Sequence, residues 1–160
     1  MMELYSLKEC ERSGIRAARW RRAAAGGLIA ALTVCVVLCL KVNTLNARAS
    51  YIAAVAVSTL GGWAAILIWA FGYRPRRAEH IHMKGMLEGA REGFSGTLGC
   101  PGDTTLIPGS ISVRRVPLLS EEGSVSLLIY APFAKELPSS GARVRVETVS
   151  RYIVSWEVIG

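Results

Sequence analysis

Two uninterrupted apolar blocks dominate the first half of the chain. Ala23 to Leu40 holds 18 residues without a charge, and Tyr51 to Phe71 holds 21. As helices at 1.5 Å per residue they extend about 27 and 32 Å, close to the roughly 30 Å hydrocarbon thickness of a bilayer. Both are apolar all round, and no other segment is large enough to cover them. Only Lys41 to Ser50 lies between them. The pattern therefore predicts a two-helix transmembrane hairpin over residues 23–72, with spans at 23–40 and 51–71, preceded by a basic segment, residues 1–22.

Tyr73-Arg74-Pro75-Arg76-Arg77 is expected to end the second span, because proline is tolerated in a first helical turn but not further inside. Met83, Met86, Leu87 and Ala90 then recur with i, i+3, i+4, i+7 spacing. They predict a short linker helix from about Ala78 to Glu92 within a juxtamembrane segment, residues 73–92, which Gly85 and Gly89 weaken.

From Phe94 the period changes to two, and residues 93–160 read as a small all-β domain. Val144 and Val146 alternate with Arg143, Arg145 and Glu147, while Tyr152, Val154, Trp156 and Val158 form a second alternating run beyond a tight turn at Ser150-Arg151. Earlier strands are expected at Gly93–Leu98, Asp103–Ile107, Ser110–Leu119 and Ser124–Tyr130. Gly99-Cys100-Pro101-Gly102, Pro108-Gly109 and Ser120-Glu121-Glu122-Gly123 separate them as turns. The apolar parity shifts between Ile111/Val113 and Val116/Leu118, which predicts a β-bulge or sharp bend near Arg114-Arg115. Ala131 to Leu137 reads as a short helix or irregular crossover. Five or six short strands of this kind suggest a small closed barrel of OB or SH3-like type, with a three-on-three β-sandwich as the alternative.

The stretch Leu137-Pro138-Ser139-Ser140-Gly141-Ala142-Arg143-Val144-Arg145-Val146, followed by Ile153 and Val154, is similar to the end of the barrel in the NfeD-like membrane proteins, which also place apolar spans before a small cytoplasmic barrel. The resemblance implies an accessory role in organising a membrane complex rather than catalysis.

Composition and charge set further bounds. The 160 residues are 51% hydrophobic and 19% charged, with mean hydropathy +0.34. That balance is too apolar for an ordinary soluble domain and too polar for a protein that is all membrane. It excludes a multi-domain enzyme, a polytopic transporter acting alone and a secreted disulfide scaffold. Lys8, Arg12, Arg16, Arg19, Arg21 and Arg22 precede the first span, and Arg74, Arg76, Arg77 and Lys84 follow the second. The intervening loop has only Lys41 and Arg48, so both termini are expected in the cytoplasm of a two-pass protein of the bacterial plasma (inner) membrane. Trp20, Tyr51, Trp69 and Tyr73 fall where an interfacial aromatic belt belongs. The net charge of +7 is mostly juxtamembrane, where it attracts the anionic headgroups of the bilayer, while residues 94–160 carry six basic and six acidic groups. The apolar core of 18 residues exceeds that of a cleavable signal peptide, so an uncleaved anchor is expected.

Small residues recur every four positions at Gly27, Ala31, Cys35 and Cys39 in the first span and at Ala54, Ser58 and Gly62 in the second, with Gly61 and Ala65 adjoining. Each set shares a helix face and is expected to form a packing surface, within the hairpin or with a partner helix. The four cysteines show no C-x-x-C pair, and structural disulfides are not expected. His80 and His82, the only histidines, could share a metal if extended, but on a helix they diverge. No metal or cofactor is expected.

No phosphate-binding loop, G-x-S-x-G or H-E-x-x-H motif is present, and no catalytic residue is assigned. Arg114, Arg115, Arg143 and Arg145 form the candidate interaction face. With Tyr130, Tyr152 and Trp156 they supply the residue types of a nucleic-acid-binding OB module tethered to the membrane, the alternative function, but the neutral β-domain lacks the basic footprint of such binders. The reading favoured by the sequence is a membrane-anchored interaction or scaffold protein whose barrel docks an unknown membrane protein or a second copy of itself.

Overall fold

The computed structural model describes residues 1–42, 46–107, 111–120 and 123–159. The turn expected at Pro108-Gly109, the Glu121-Glu122 part of the turn expected at Ser120-Glu121-Glu122-Gly123, and residues 43–45 between the two apolar blocks lie outside the described residues. The chain divides into two compact units, one formed by Gly14–Arg77 and the other by Met1–Ser13 with Ala78–Gly160.

Helix α1 runs over Leu7–Leu40, and α2 over Ala47–Leu67. The first begins well before the apolar block because Ser6 caps it: the Glu9 backbone N–H donates to Ser6 Oγ at 3.3 Å, and Ser6 and Glu9 have the spacing of a capping box. A six-residue π-helical turn, Ile68–Tyr73, continues α2 into α3, Arg74–Glu88. Pro75 thus does not end the helix as expected. A proline ring collides with the carbonyl four residues back and supplies no N–H, and the wider turn just before it relieves both demands, with the Arg74 N–H reaching back five residues to the Trp69 carbonyl. Both α1 and the helix running on from α2 are long and apolar enough to cross a membrane, and their most apolar stretches are almost wholly exposed.

The second unit is a closed barrel. Strands β2 (Glu92–Leu98), β4 (Ile111–Ser120), β5 (Gly123–Tyr130), β6 (Arg143–Val149) and β7 (Tyr152–Val158) pair in the ring β2-β4-β5-β7-β6-β2. All neighbours are antiparallel except β5 and β7, which run parallel at Leu128 and Tyr152. This Greek-key connectivity, closed by one parallel pair and with a 3₁₀ helix (Ala131–Glu136) between the third and fourth strands, is OB-like. Ring closure distinguishes it from the sandwich alternative. The inward side chains alternate as the period-two reading requires, and Val116, Leu118, Leu127, Ile129, Val144, Val146 and Ile153 are fully buried. Each such aliphatic side chain contributes about 1.5–3 kcal/mol by leaving water.

Two short strands extend the ring. β3 (Thr104–Ile107) pairs with the start of β4, and β1 (Met2–Glu3) adds to β7 through Met2 opposite Trp156. The first thirteen residues, expected to belong to a basic segment, therefore form part of the barrel's unit. Leu4 and Tyr5 are buried in its core with Met83 and Met86 of α3.

The parity shift in β4 is real, since Val113, Val116 and Leu118 are buried and Arg114 and Arg115 exposed, but no bulge accompanies it. Its register against β5 is unbroken from Val113–Tyr130 to Ser120–Gly123. On its other edge β4 changes partner from β3 to β2, and in between the Gly99 and Gly102 N–H groups donate to the carbonyls of Pro117 and Arg115 at 2.8 Å. The register shift falls instead between β6 and β7, beside Glu147 and Thr148. There Ile153, Val154 and Ser155 are all buried in succession, which breaks the expected alternation in β7.

Candidate functional site

In the unit Gly14–Arg77, the small-residue faces meet only in part. Ala31 lies against Gly61, where an added Cβ would come within 2.5 Å of the Ala31 methyl, and the Cys35 thiol donates to the Ala54 carbonyl at 3.6 Å. Gly72 carries the Trp20 ring across the same hairpin, and a Cβ there would overlap the indole. Ala31, Cys35 and Ala54 thus take part in the contact between α1 and α2. A Cβ at Gly27 or Gly62 meets nothing within 4 Å in this hairpin; Cys39 and Ser58 are exposed, and Ser58 bonds its own helix at the Val55 carbonyl, 3.0 Å away. The contact faces are set by Gly61, one residue off the spacing-of-four row, and by Gly72, well beyond its end.

In the barrel's unit, the arginine pairs occupy different strand neighbourhoods. Arg114 and Arg115 are exposed on β4, and Arg114 Nε donates to Thr104 Oγ1 of β3 at 2.9 Å. Arg143 and Arg145 are exposed on β6, opposite Thr97 and Ser95 of β2. The row through Arg143 crosses β2 at Thr97 and reaches β4 at Leu119, four residues beyond Arg115. The single four-arginine face expected from the sequence is therefore two separate patches.

The aromatic residues are committed to packing. His82 is buried on α3, its ring 4.8 Å from that of Tyr152 and 5.6 Å from that of Tyr130, with Tyr5 at 5.8 Å. Phe133 of the 3₁₀ helix closes the cluster at 5.1 Å from Tyr5 and 5.4 Å from Tyr130. Tyr5 Oη lies 3.0 Å from His82 Nε2. Burial holds the Tyr5 hydroxyl protonated well above its ordinary range, reinforced by Tyr130 and Tyr152, so the pair shares a neutral hydrogen bond whose direction the imidazole tautomer sets. Burial lowers the His82 pKa and raises that of Tyr152. Among the described residues, the buried Trp156 indole N–H has no hydrogen-bond partner.

His80 joins a second cluster. Its Nδ1 lies 3.1 Å from both the Cys10 carbonyl and Ser13 Oγ, and 3.9 Å from Cys10 Sγ. The carbonyl only accepts, so Nδ1 carries the proton, while Ser13 Oγ donates to the same carbonyl at 2.7 Å. Cys10 and His80 border a cavity of about 370 Å³ with Glu11, Lys84 and Glu88. The two histidines diverge as helical geometry requires, and among the described residues no three potential ligands gather into a group that could hold a metal. Both lie inside the barrel's unit, whereas the sequence puts them in the juxtamembrane segment, residues 73–92. The signal that could have placed them was the capping pair Ser6 and Glu9, which starts α1 early and sets Cys10 and Ser13 on a helix.

Arg91 lies 3.0 Å from Glu147 of β6 and 3.6 Å from Glu3 of β1. The Ser155 hydroxyl donates to the same Glu147 carboxylate at 2.9 Å, and with Arg91 it holds that carboxyl below its ordinary range.

No family model matches the chain, and no curated protein matches it. Among solved structures it is similar to the mitochondrial single-stranded DNA binding protein of S. cerevisiae, at 14% identity and TM-score 0.34, over 45% of this chain and 96% of that one. The OB-like assignment stands on the strand connectivity of this chain itself.

Proposed function

We propose that the chain is a membrane-anchored interaction or scaffold protein. In this reading α1 and α2 cross the plasma membrane of a bacterial cell, both termini lie in the cytoplasm, and the OB-like barrel is the docking module of an accessory subunit. The observation that carries it is the exposure of two helices apolar on every side: Leu28, Ile29 and Leu32 on α1, and Leu60, Trp63 and Ile66 on α2, are each more than half exposed. Water makes such a surface costly, at about 25 cal/mol per Å² of apolar area, and hydrocarbon does not. The charge pattern supports the orientation, since arginines flank the free ends of both blocks.

Two further observations favour protein over nucleic acid as the partner. Tyr130 and Tyr152 are packed on His82 and give no free stacking platform, and residues 94–160 balance six basic groups with six acidic ones. The resemblance to the NfeD-like proteins points to the same accessory role, and no reaction is assigned to the chain. Fractionation tests the anchoring: the full chain is expected to stay with membranes through an alkaline carbonate wash and to leave only in detergent. Crosslinking in those membranes is expected to capture a protein on Arg143 and Arg145. An adduct that persists unchanged when both are replaced by alanine would move the docking surface elsewhere.

A further inference from the structure

An apolar groove of about 810 Å³ runs along the hairpin in the unit Gly14–Arg77, within the range of about 300–1,000 Å³ that ligand sites occupy. Ala25 and Leu28 of α1 form one wall and Gly62, Ala65 and Ile66 of α2 the other. Gly62 gives the groove depth, since nothing lies within 4 Å of where its Cβ would stand. Two cations, Arg21 and Arg74, line the same groove. Trp20 against Gly72 and Ala31 against Gly61 make the hairpin antiparallel, so both arginines fall at one end, beside Trp69. From Gly62 to Arg74 the helix advances about 18 Å, which leaves an apolar trough leading to a paired cationic mouth.

We propose that this groove binds one anionic phospholipid, its phosphate held by Arg21 and Arg74 and an acyl chain laid along Ala25, Leu28, Gly62 and Ile66. Guanidinium groups match phosphate oxygens in paired hydrogen bonds, and basic pockets between spans on the cytoplasmic side suit anionic headgroups. Neither arginine has an ion-pair partner among the described residues. A second copy of the hairpin is the poorer occupant: apolar contact gives little drive in lipid, and neither block, 23–40 nor 51–71, holds an acidic residue to meet the arginines. The inference rests on the membrane reading and goes beyond general attraction to a charged bilayer by naming one site and one stoichiometry.

The test uses the full chain reconstituted into vesicles and then taken into native mass spectrometry in mild detergent, titrated with phosphatidylglycerol or with phosphatidylcholine. One phosphatidylglycerol is expected to be retained per chain with a preference of roughly tenfold over phosphatidylcholine. R21Q with R74Q is expected to abolish that preference, R21K with R74K to keep most of it, and R12Q with K41Q, which removes as much charge elsewhere, to leave it unchanged. Reconstitution with equal retention of the two lipids, or a preference that survives R21Q with R74Q, overturns the groove alone. A lipid-free dimer as the dominant species assigns the groove to a second copy and also overturns it. Failure to enter vesicles of either lipid overturns the membrane reading and the groove together.

Discussion

Tyr5 Oη and His82 Nε2 are hydrogen-bonded at 3.0 Å, across 77 positions of sequence, and both residues are buried. One comes from the segment between β1 and α1, the other from α3, so this bond ties two peripheral pieces of chain to each other and to the barrel core. Tyr5→Phe keeps the ring contacts with Phe133 and removes only the hydroxyl. It is expected to destabilise the barrel's unit by about 1–3 kcal/mol, the cost of leaving the buried His82 nitrogen unpaired. Denaturant unfolding of the full chain in detergent, followed by tryptophan fluorescence, measures it.

His82 also sets a pH dependence. Its folded pKa lies below the ordinary value of 6.5 because burial penalises the charged form, so the unfolded chain binds the proton first. Its contribution to stability is complete above about pH 6.5 and is lost as the pH falls through the lower folded value. Thermal unfolding between roughly pH 5 and 8 is expected to show stability rising with pH, and His82→Gln is expected to flatten that slope. The residues facing His82 are Tyr5, Tyr130 and Tyr152, and burial raises the pKa of Tyr5 and Tyr152 still further above this window. The carboxyl of Glu147 is held below its ordinary 4.5 and makes its change at lower pH.

Glycines that look alike in the sequence are expected to behave differently. Gly61→Ala sets a methyl 2.5 Å from the Ala31 side chain, and Gly72→Ala sets one into the Trp20 ring. Both are expected to loosen the hairpin by about 1–3 kcal/mol, the usual cost of overpacking. Gly27→Ala and Gly62→Ala meet open space and are expected to be neutral or slightly stabilising. Resistance of the helical signal to dodecyl sulfate, titrated in parallel for the four variants, separates the two pairs.

Much of the barrel could be read from residue order because its determinants are local. Val144 and Val146 alternate with arginines, and Ser150-Arg151 interrupts two such runs, so strands and turn follow from period and punctuation. What escaped was non-local or too short to carry a period. The pair Met2–Glu3 becomes a strand only because β7 offers it an edge. His82 is buried because Tyr5, Tyr130 and Tyr152 surround it, which nothing in a polar helical stretch announces. Gly61 and Gly62 both continue a small-residue pattern; only the crossing of α1 over α2 decides which one touches Ala31. Arg114, Arg115, Arg143 and Arg145 are all exposed, and their division into two patches depends on β2 lying between β4 and β6.

The turn between β6 and β7 gives a stabilising change. Ser150 and Arg151 have φ of 50° and 69°, the left-handed pair of a type I′ turn that suits the twist of a two-residue hairpin. Serine and arginine adopt this conformation less readily than asparagine and glycine. Ser150→Asn with Arg151→Gly is expected to raise stability by about 0.5–2 kcal/mol while keeping the Leu128 N–H bond to the residue 151 carbonyl. Denaturation midpoints at constant slope would show it, and a fall in stability would place a needed side-chain contact at Arg151.

The placement of the chain about a bilayer is tested most directly by thiol labelling of intact cells with a membrane-impermeant maleimide, in the full chain carrying Asn46→Cys. The thiol introduced at position 46, in the loop between the spans, is expected to label from outside, whereas the exposed Cys100 of the barrel's unit labels only after the membrane is breached. Labelling of Cys100 in sealed cells, with position 46 protected, would contradict a cytoplasmic barrel on a two-span anchor.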